Sequence, residues 1–193
     1  MFIADLPAAT PVEQVVVVTA SRAPQQEQDT AASVTLIDAD RVQRLGEPLL
    51  SSLLRLVPST SLATSGPAGS QSQVRIRGAE ANHTLLFIDG IRANDPAAGN
   101  EPRFELLSTD LGDALEVVRG PQSALWGSEA IGGVVAVRSA GLDGAQAVGE
   151  AGSFGFGRLS GSAGLKSGRV SVAFGAGIQG ARGINAFADG PGD

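Results

Sequence analysis

The chain has 193 residues, 42% of them hydrophobic, with 14 Lys plus Arg against 20 Asp plus Glu and a formal net charge of -6 at pH 7. That length holds one domain with a sizeable core, or one domain and part of another. The acidic balance, the single tryptophan (Trp126) and the lack of tyrosine argue against a basic, base-stacking nucleic-acid surface, and the lack of cysteine excludes disulfides and thiolate metal sites.

The opening MFIADLPAATP has no Lys or Arg before its apolar residues, and Asp5 and Pro7 interrupt them, so as it stands it does not read as a secretory signal. The valine run Val15 to Val18 is far short of the roughly 20 apolar residues a spanning helix needs. Residues 1–14 and 24–29 read as flexible, and VVVVTA between them, residues 15–20, as an extended β-prone segment.

SVTLID, residues 33–38, is expected to form a strand, with Asp38 capping a short helix, ADRVQRL, that ends at Gly46. The next helix is expected to hold Pro48 in its first turn and to stop at Pro58. Its spacing puts Leu49, Leu50, Leu53, Leu54, Leu56 and Val57 on one face and Ser51, Ser52 and Arg55 on the other. A loop rich in glycine and serine, residues 64–72, leads into QVRIRG, whose alternation sets Val74 and Ile76 against Arg75 and Arg77. After a polar turn at residues 79–83, TLLFIDG reads as a strand covered on both faces. A second long loop, residues 91–104, precedes two more strands, ALEVVRG and VVAVRS.

Between those two strands lies Gly127-x-x-x-x-Gly132. A phosphate-binding loop needs Lys and then Ser or Thr after its second glycine, and Gly133 and Val134 stand there instead, which argues against a nucleotide site. His83 is the sole histidine. One histidine makes no metal cluster, and no neighbouring acid and nucleophile motif completes a triad. Asp89, Asn94 and Asp95 lack the spacing of a calcium loop. No enzyme, cofactor or metal is therefore expected. Three strands end in arginine (RIRG, VVRG, AVRS), which either snorkels to water or meets an acidic partner surface.

The composition shifts near residues 139–144, since 15 of the 26 glycines fall in residues 141–193. From Arg169 to Gln179, Val170, Val172, Phe174, Ala176 and Ile178 alternate with small or polar residues. That is the pattern of a transmembrane β-barrel strand, the alternative being an edge strand of a soluble sandwich. QAVGEAG and RLSGSAGL read as two weaker strands before it, joined through SFGFG and KSGR.

Taken together, TLLFIDGIRAND, LEVVRGPQSALWGSEAIGGVVAV and VVVVTASR resemble the TonB-dependent outer-membrane receptors, most closely their cobalamin (vitamin B12) receptor branch, over about residues 12–182. The resemblance implies an α+β plug, a small mixed β-sheet with short helices, followed by the first strands of a transmembrane antiparallel β-barrel, here incomplete. In that family the plug sits inside a barrel of about 22 strands. The implied division is a flexible segment with a TonB box at residues 1–29, a plug at 30–140, and about three barrel strands at 141–193. Residues 116–118 and 134–137 become plug strands. They are joined by a helical turn, QSALW, that Pro121 opens and Gly127 closes, with Gly132 and Gly133 running close to a neighbouring wall.

The resemblance also assigns roles. Glu13, Gln14, Val15, Val16, Val17, Val18, Thr19 and Ala20 correspond to the box that pairs as an added strand with TonB. The acidic residue that usually opens the box is displaced, with Gln14 in its place and Glu13 just before. Ser70, Gln71 and Ser72, with Asn94, Asp95 and Asn100, are the implied contacts to a large polar ligand. Arg77 and Arg119 would face acidic groups of the barrel interior or of the plug itself. The implied function is active uptake of cobalamin or a similar large nutrient across the outer membrane, without covalent chemistry. The alternatives are a ferric-siderophore receptor plug, or a truncated soluble plug that binds TonB and transports nothing. Lacking an export signal and most of a barrel, the chain is expected to be a fragment or a truncated copy.

Overall fold

The computed structural model describes residues 16–17, 25–26, 32–67, 69–109, 114–139, 144–168 and 170–183. Two short strands come first, β1 (Val16–Val17) and β2 (Gln25–Gln26), paired antiparallel. Then β3 (Ser33–Ile37) leads directly into α1 (Ala39–Leu45). The Asp38 side chain accepts a hydrogen bond from the Arg41 amide at 2.7 Å, and Gly46 closes the helix at φ 65°, as the capping signals require.

The second helix departs from its expected form. Only α2 (Leu50–Leu54) is helical; Pro48 lies before it, and Leu49 forms an isolated β-bridge with Ser108. The Leu50 amide donates to Leu107 O at 3.0 Å, so the helix start is tied to a distant loop instead of to a proline turn. Leu50, Leu53, Leu54 and Val57 are buried as expected, but Ser51 is buried too and Leu56 is exposed. One reason is length: after Leu54 the chain tightens, with Leu56 and Val57 amides donating to Leu53 O and Leu54 O, three residues back. A three-residue turn rotates Leu56 off the apolar stripe that 3.6 residues per turn would have kept.

A strand that the sequence reading missed follows. β4 (Thr60–Thr64) pairs antiparallel with β5 (Ser72–Ile76), so the loop expected over residues 64–72 is the tip of a β-hairpin. Val74 and Ile76 are buried and Arg75 is exposed, in keeping with the alternation. Next come β6 (Thr84–Ile88), β7 (Ile91–Arg92), β8 (Asn94–Asp95), β9 (Glu101–Pro102), β10 (Ala114–Arg119), the single turn α3 (Ser123–Trp126) and β11 (Gly133–Arg138).

The central sheet has the order β3-β10-β11-β6-β7, antiparallel except for the parallel pair β11 and β6. One face carries Ile37, Leu86, Leu115, Val117, Val135 and Val137 against α1, α2, the hairpin and Phe104. The other carries Leu85, Val134 and Ala130 with Phe87 and Trp126, whose ring centroids are 4.5 Å apart. β6 is thus covered on both faces. At the start of β11, a Cβ on Gly133 would stand 2.3 Å from Val118 O, and one on Gly132 would stand 3.0 Å from Ala79 Cβ. Only glycine permits this close approach of β11 to its neighbours.

The last described strands form a separate antiparallel sheet of β12 (Gly144–Ala151), β13 (Gly157–Ser167) and β14 (Val170–Gly180). It is open, with β12 and β14 as its edges. On β13, Arg158, Ser160 and Ser162 are buried, while Leu159 and Leu165 point outward. Register pairs Leu159 with Ile178 and Leu165 with Val172 on that outward face. Phe174 is 74% exposed and Ser160 only 6%. Along its middle, β13 therefore hides Arg158, Ser160 and Ser162, while the large apolar side chains of β13 and β14 are displayed. No helix among the described residues is long and apolar enough to cross a membrane, which has no bearing on crossing by strands.

Candidate functional site

Hairpin β4–β5 gathers the candidate residues. Its tip and the start of β5 meet the segment around β8 and β9 through Glu101, which accepts from Gln73 Nε2 at 3.0 Å and from Gln71 Nε2 at 3.5 Å. Buried Glu105 accepts from the Ser72 amide at 3.3 Å and pairs with Arg103 at 3.4 Å. Arg103 also pairs with Asp95 at 3.3 Å. The hydrogen bond that Arg103 Nε donates to Asp95 Oδ2 holds the guanidinium above the ordinary arginine range. Asp95 further accepts from the Ala97 amide at 2.9 Å.

Asn94 is committed to the backbone. Its Oδ1 accepts from the Leu86 amide at 2.9 Å, and its Nδ2 donates to Thr84 O and Asn100 O at 3.0 and 2.8 Å. Asn100, at φ 65°, accepts from Arg92 at 2.8 Å, and Arg92 also pairs with Glu129. The Ser70 carbonyl accepts from Ser72 Oγ at 3.1 Å. The two expected polar loops are thus brought together into one rim, in which Asn94 shapes the loop while Gln71 is exposed. Glu101, Gln73 and Glu105 went unnoticed in the sequence. Gln73 carried a usable signal, as the polar neighbour of Val74 in an alternating strand; Glu101, 28 residues further on, carried none.

The opposite end of the hairpin holds the strand-end arginines. Arg77 donates through Nη2 to Ser33 Oγ at 3.1 Å, and its Nη1 lies 2.7 Å from where a Cβ on Gly120 would stand. Arg119 Nη1 donates to Pro58 O at 3.4 Å, and its Nε is buried without a hydrogen-bond partner among the described residues. No described carboxylate lies within ion-pair distance of Arg77 or Arg119. Arg138, the third, lies 3.8 Å from the wholly buried Glu116.

Of the expected box, only Val16 and Val17 lie among the described residues, extended and paired with Gln26 and Gln25. Glu13, Gln14, Val15, Val18, Thr19 and Ala20 lie outside them. His83 serves through its backbone: its carbonyl accepts from the Gly132 amide at 3.0 Å.

Where the chain leaves the central sheet, Asp89 clamps it. Its carboxylate accepts from the Ser139 amide at 2.8 Å and from Ser139 Oγ at 2.7 Å. Beyond that joint the polar face of β12 and β13 turns toward α1. Gln43 Nε2 donates to Gln146 Oε1 at 3.0 Å. A cavity of about 200 Å³ opens beside this contact, lined by Gln43, Gln146, Glu150, Arg158, Ser160 and Ser162 among others. Glu150 and Arg158 pair at 3.4 Å, and Ser162 Oγ is buried without a hydrogen-bond partner among the described residues, so the cavity suits several waters.

The family model for the TonB-dependent receptor plug domain matches residues 26–134. The vitamin B12 transporter BtuB of Vibrio vulnificus is 33% identical over 124 residues, which cover 64% of this chain and 20% of that protein. Among solved structures, the Pseudomonas aeruginosa receptor FpvA bound to a pyoverdine superposes with a TM-score of 0.73 at 19% identity, over 85% of this chain and 22% of that one. The alcaligin outer-membrane receptor FauA of Bordetella pertussis does so at 0.69 and 16% identity, over 85% and 29%. The chain thus spans between a fifth and a third of the length of these proteins.

Proposed function

Since the chain belongs to the TonB-dependent receptor plug family, we propose that it forms the plug and the first wall strands of an outer-membrane receptor for active uptake of cobalamin or a similar large nutrient. The observation that carries this reading is the inverted polarity of β12–β14. A sheet with Leu165, Val172, Phe174 and Ile178 outward and Ser160 and Ser162 inward is stable where its outside is lipid. The likeness to a vitamin B12 transporter supports cobalamin as the ligand.

In this reading residues 1–29 are the coupling segment, 30–140 the plug and 141–193 the start of the wall. Ser70, Gln71, Ser72, Asp95 and Asn100 meet the ligand on the rim that Asn94 and Glu101 organise. Arg77 and Arg119 face acidic groups of the wall. The box at Glu13 to Ala20 adds to TonB as a strand, for which an extended β-prone segment is the only chemistry required.

Deleting residues 13–20 from the intact receptor should leave binding of labelled cyanocobalamin unchanged and abolish its uptake; normal uptake would sink the mechanism. Displacement of the label by ferric siderophores instead of by unlabelled cyanocobalamin would reassign the ligand. Recovery of the natural product as a stable soluble monomer would withdraw the wall.

A further inference from the structure

We propose that Glu101 is a specificity-determining residue of the polar rim. It tunes the rim to ligands that carry hydrogen-bond donors and no negative charge, such as carboxamide-bearing molecules, and against anionic iron chelates. This rests on the reading of the rim as the ligand-facing surface and names the chemistry that surface selects.

An ionised carboxylate only accepts hydrogen bonds. The bonds of Gln73 and Gln71 to Glu101 therefore fix both amides with their NH2 groups toward it, at 3.0 and 3.5 Å, and their oxygens turned away. Gln73 Oε1 accepts from Arg75 Nη2 at 3.3 Å, which braces it. Gln71 is exposed, and its Oε1 has no hydrogen-bond partner among the described residues. A carboxylate has room for about four hydrogen bonds, so the two amides leave part of Glu101 open. What this side of the hairpin offers a ligand is therefore acceptors.

The cations tied into the rim are already engaged. Arg92 pairs with Glu129 and donates to Asn100, and Arg103 lies between Asp95 and Glu105. Together with Arg75 these guanidiniums meet one carboxylate too many. The one in excess is Glu101, which no described guanidinium approaches within ion-pair distance. Glu101 is half-buried and its described side-chain partners are neutral amides, so its field reaches the ligand side. At about 7 Å, across a medium close to water, such a charge disfavours a second negative charge about 3-fold. A carboxamide escapes that repulsion and gives its NH2 group to the free acceptors, so selection works by rejection as well as by attraction.

The test compares two reagents of one shape, neutral iodoacetamide and anionic iodoacetate, at a thiol placed beside Gln71 by Ser70→Cys. It uses the intact protein in outer-membrane vesicles and follows the mass of the peptide that carries residue 70. Both reagents alkylate the same thiolate, so changes in its ionisation or access cancel in the ratio of their rates. Glu101→Gln keeps the size of the side chain and removes its charge. The expected ratio of iodoacetamide to iodoacetate rates is about 3-fold higher with Glu101 than in the Glu101→Gln variant. Raising the salt should bring the first ratio toward the second, since screening removes a field and leaves a merely structural role in place. A ratio that Glu101→Gln does not change overturns the proposal, as does one that salt does not move. A second arm measures binding of cyanocobalamin and of its monocarboxylic acids, in each of which a carboxylate replaces one side-chain carboxamide. At least one acid should bind about 3-fold or more weakly than the parent, with Glu101→Gln narrowing the gap. Equal affinity for the parent and every acid overturns the proposal. The expected reagent ratio without any binding of cyanocobalamin supports the proposal and removes cobalamin as the ligand, so the two readings fail separately.

Discussion

Phe174→Arg tests the wall directly. β14 has 11 residues, which at about 3.3 Å each make a strand of roughly 36 Å; tilted by about 45° it spans about 25 Å, the height of the apolar band of an outer-membrane barrel. Phe174 lies one residue from the strand's centre, which in the proposed wall sets it close to the bilayer midplane. An arginine there should cost about 2–4 kcal/mol, a shift of roughly 30- to 1,000-fold in the folding equilibrium. Ala173→Arg places the same charge at the same depth on the opposite face, across from Gly164, where in the proposed wall it avoids lipid, and should cost under about 1 kcal/mol. Both are read as shifts in the urea midpoint of the intact protein in phosphatidylcholine vesicles, followed by tryptophan fluorescence. Equal costs on the two faces, or a larger cost at Ala173, would refute the assignment of lipid to the outward face.

Two further outcomes test the plug. Leu53→Ala should destabilise by about 2–5 kcal/mol through the cavity it leaves, while Leu56→Ala should stay within about 0.5 kcal/mol; equal losses would restore the longer helix read from the sequence. Gly133→Ala should cost about 1–3 kcal/mol, read as a lowered thermal unfolding midpoint, because the new methyl meets the Val118 carbonyl, a ladder atom that cannot move without parting β10 from β11; a silent substitution would show that the approach is not tight.

The strands were legible wherever side-chain alternation met burial. Val74 against Arg75, and Val172 and Phe174 against their small neighbours, are statements about two faces that a period of two expresses without knowing what covers them. Asp38 and Gly46 were legible because caps act within four residues. β4 was not, since TSLAT has neither a strong alternation nor β-branched residues at its centre. The length of α2 was not legible either: Pro48 is a common first-turn residue, but here Leu49 is held by Ser108 and Leu50 by Leu107, partners more than 50 residues away.

The same division runs through the candidate site. Its loops could be named in advance from their polar, glycine-rich composition and from the resemblance they share with TonB-dependent receptors. What each side chain does there could not. Asn94 shapes a loop, Glu101 joins two loops across 28 residues to Gln73, and Arg77 reaches 44 residues back to Ser33. By itself the sequence determined which faces of its strands are apolar, where its short helices are capped and where only glycine is admitted, because those preferences act between near neighbours. The tertiary structure alone decided which polar groups meet, since hydrogen-bond partners are set by strand order and register, and distant segments come within 3 Å only after the core has packed.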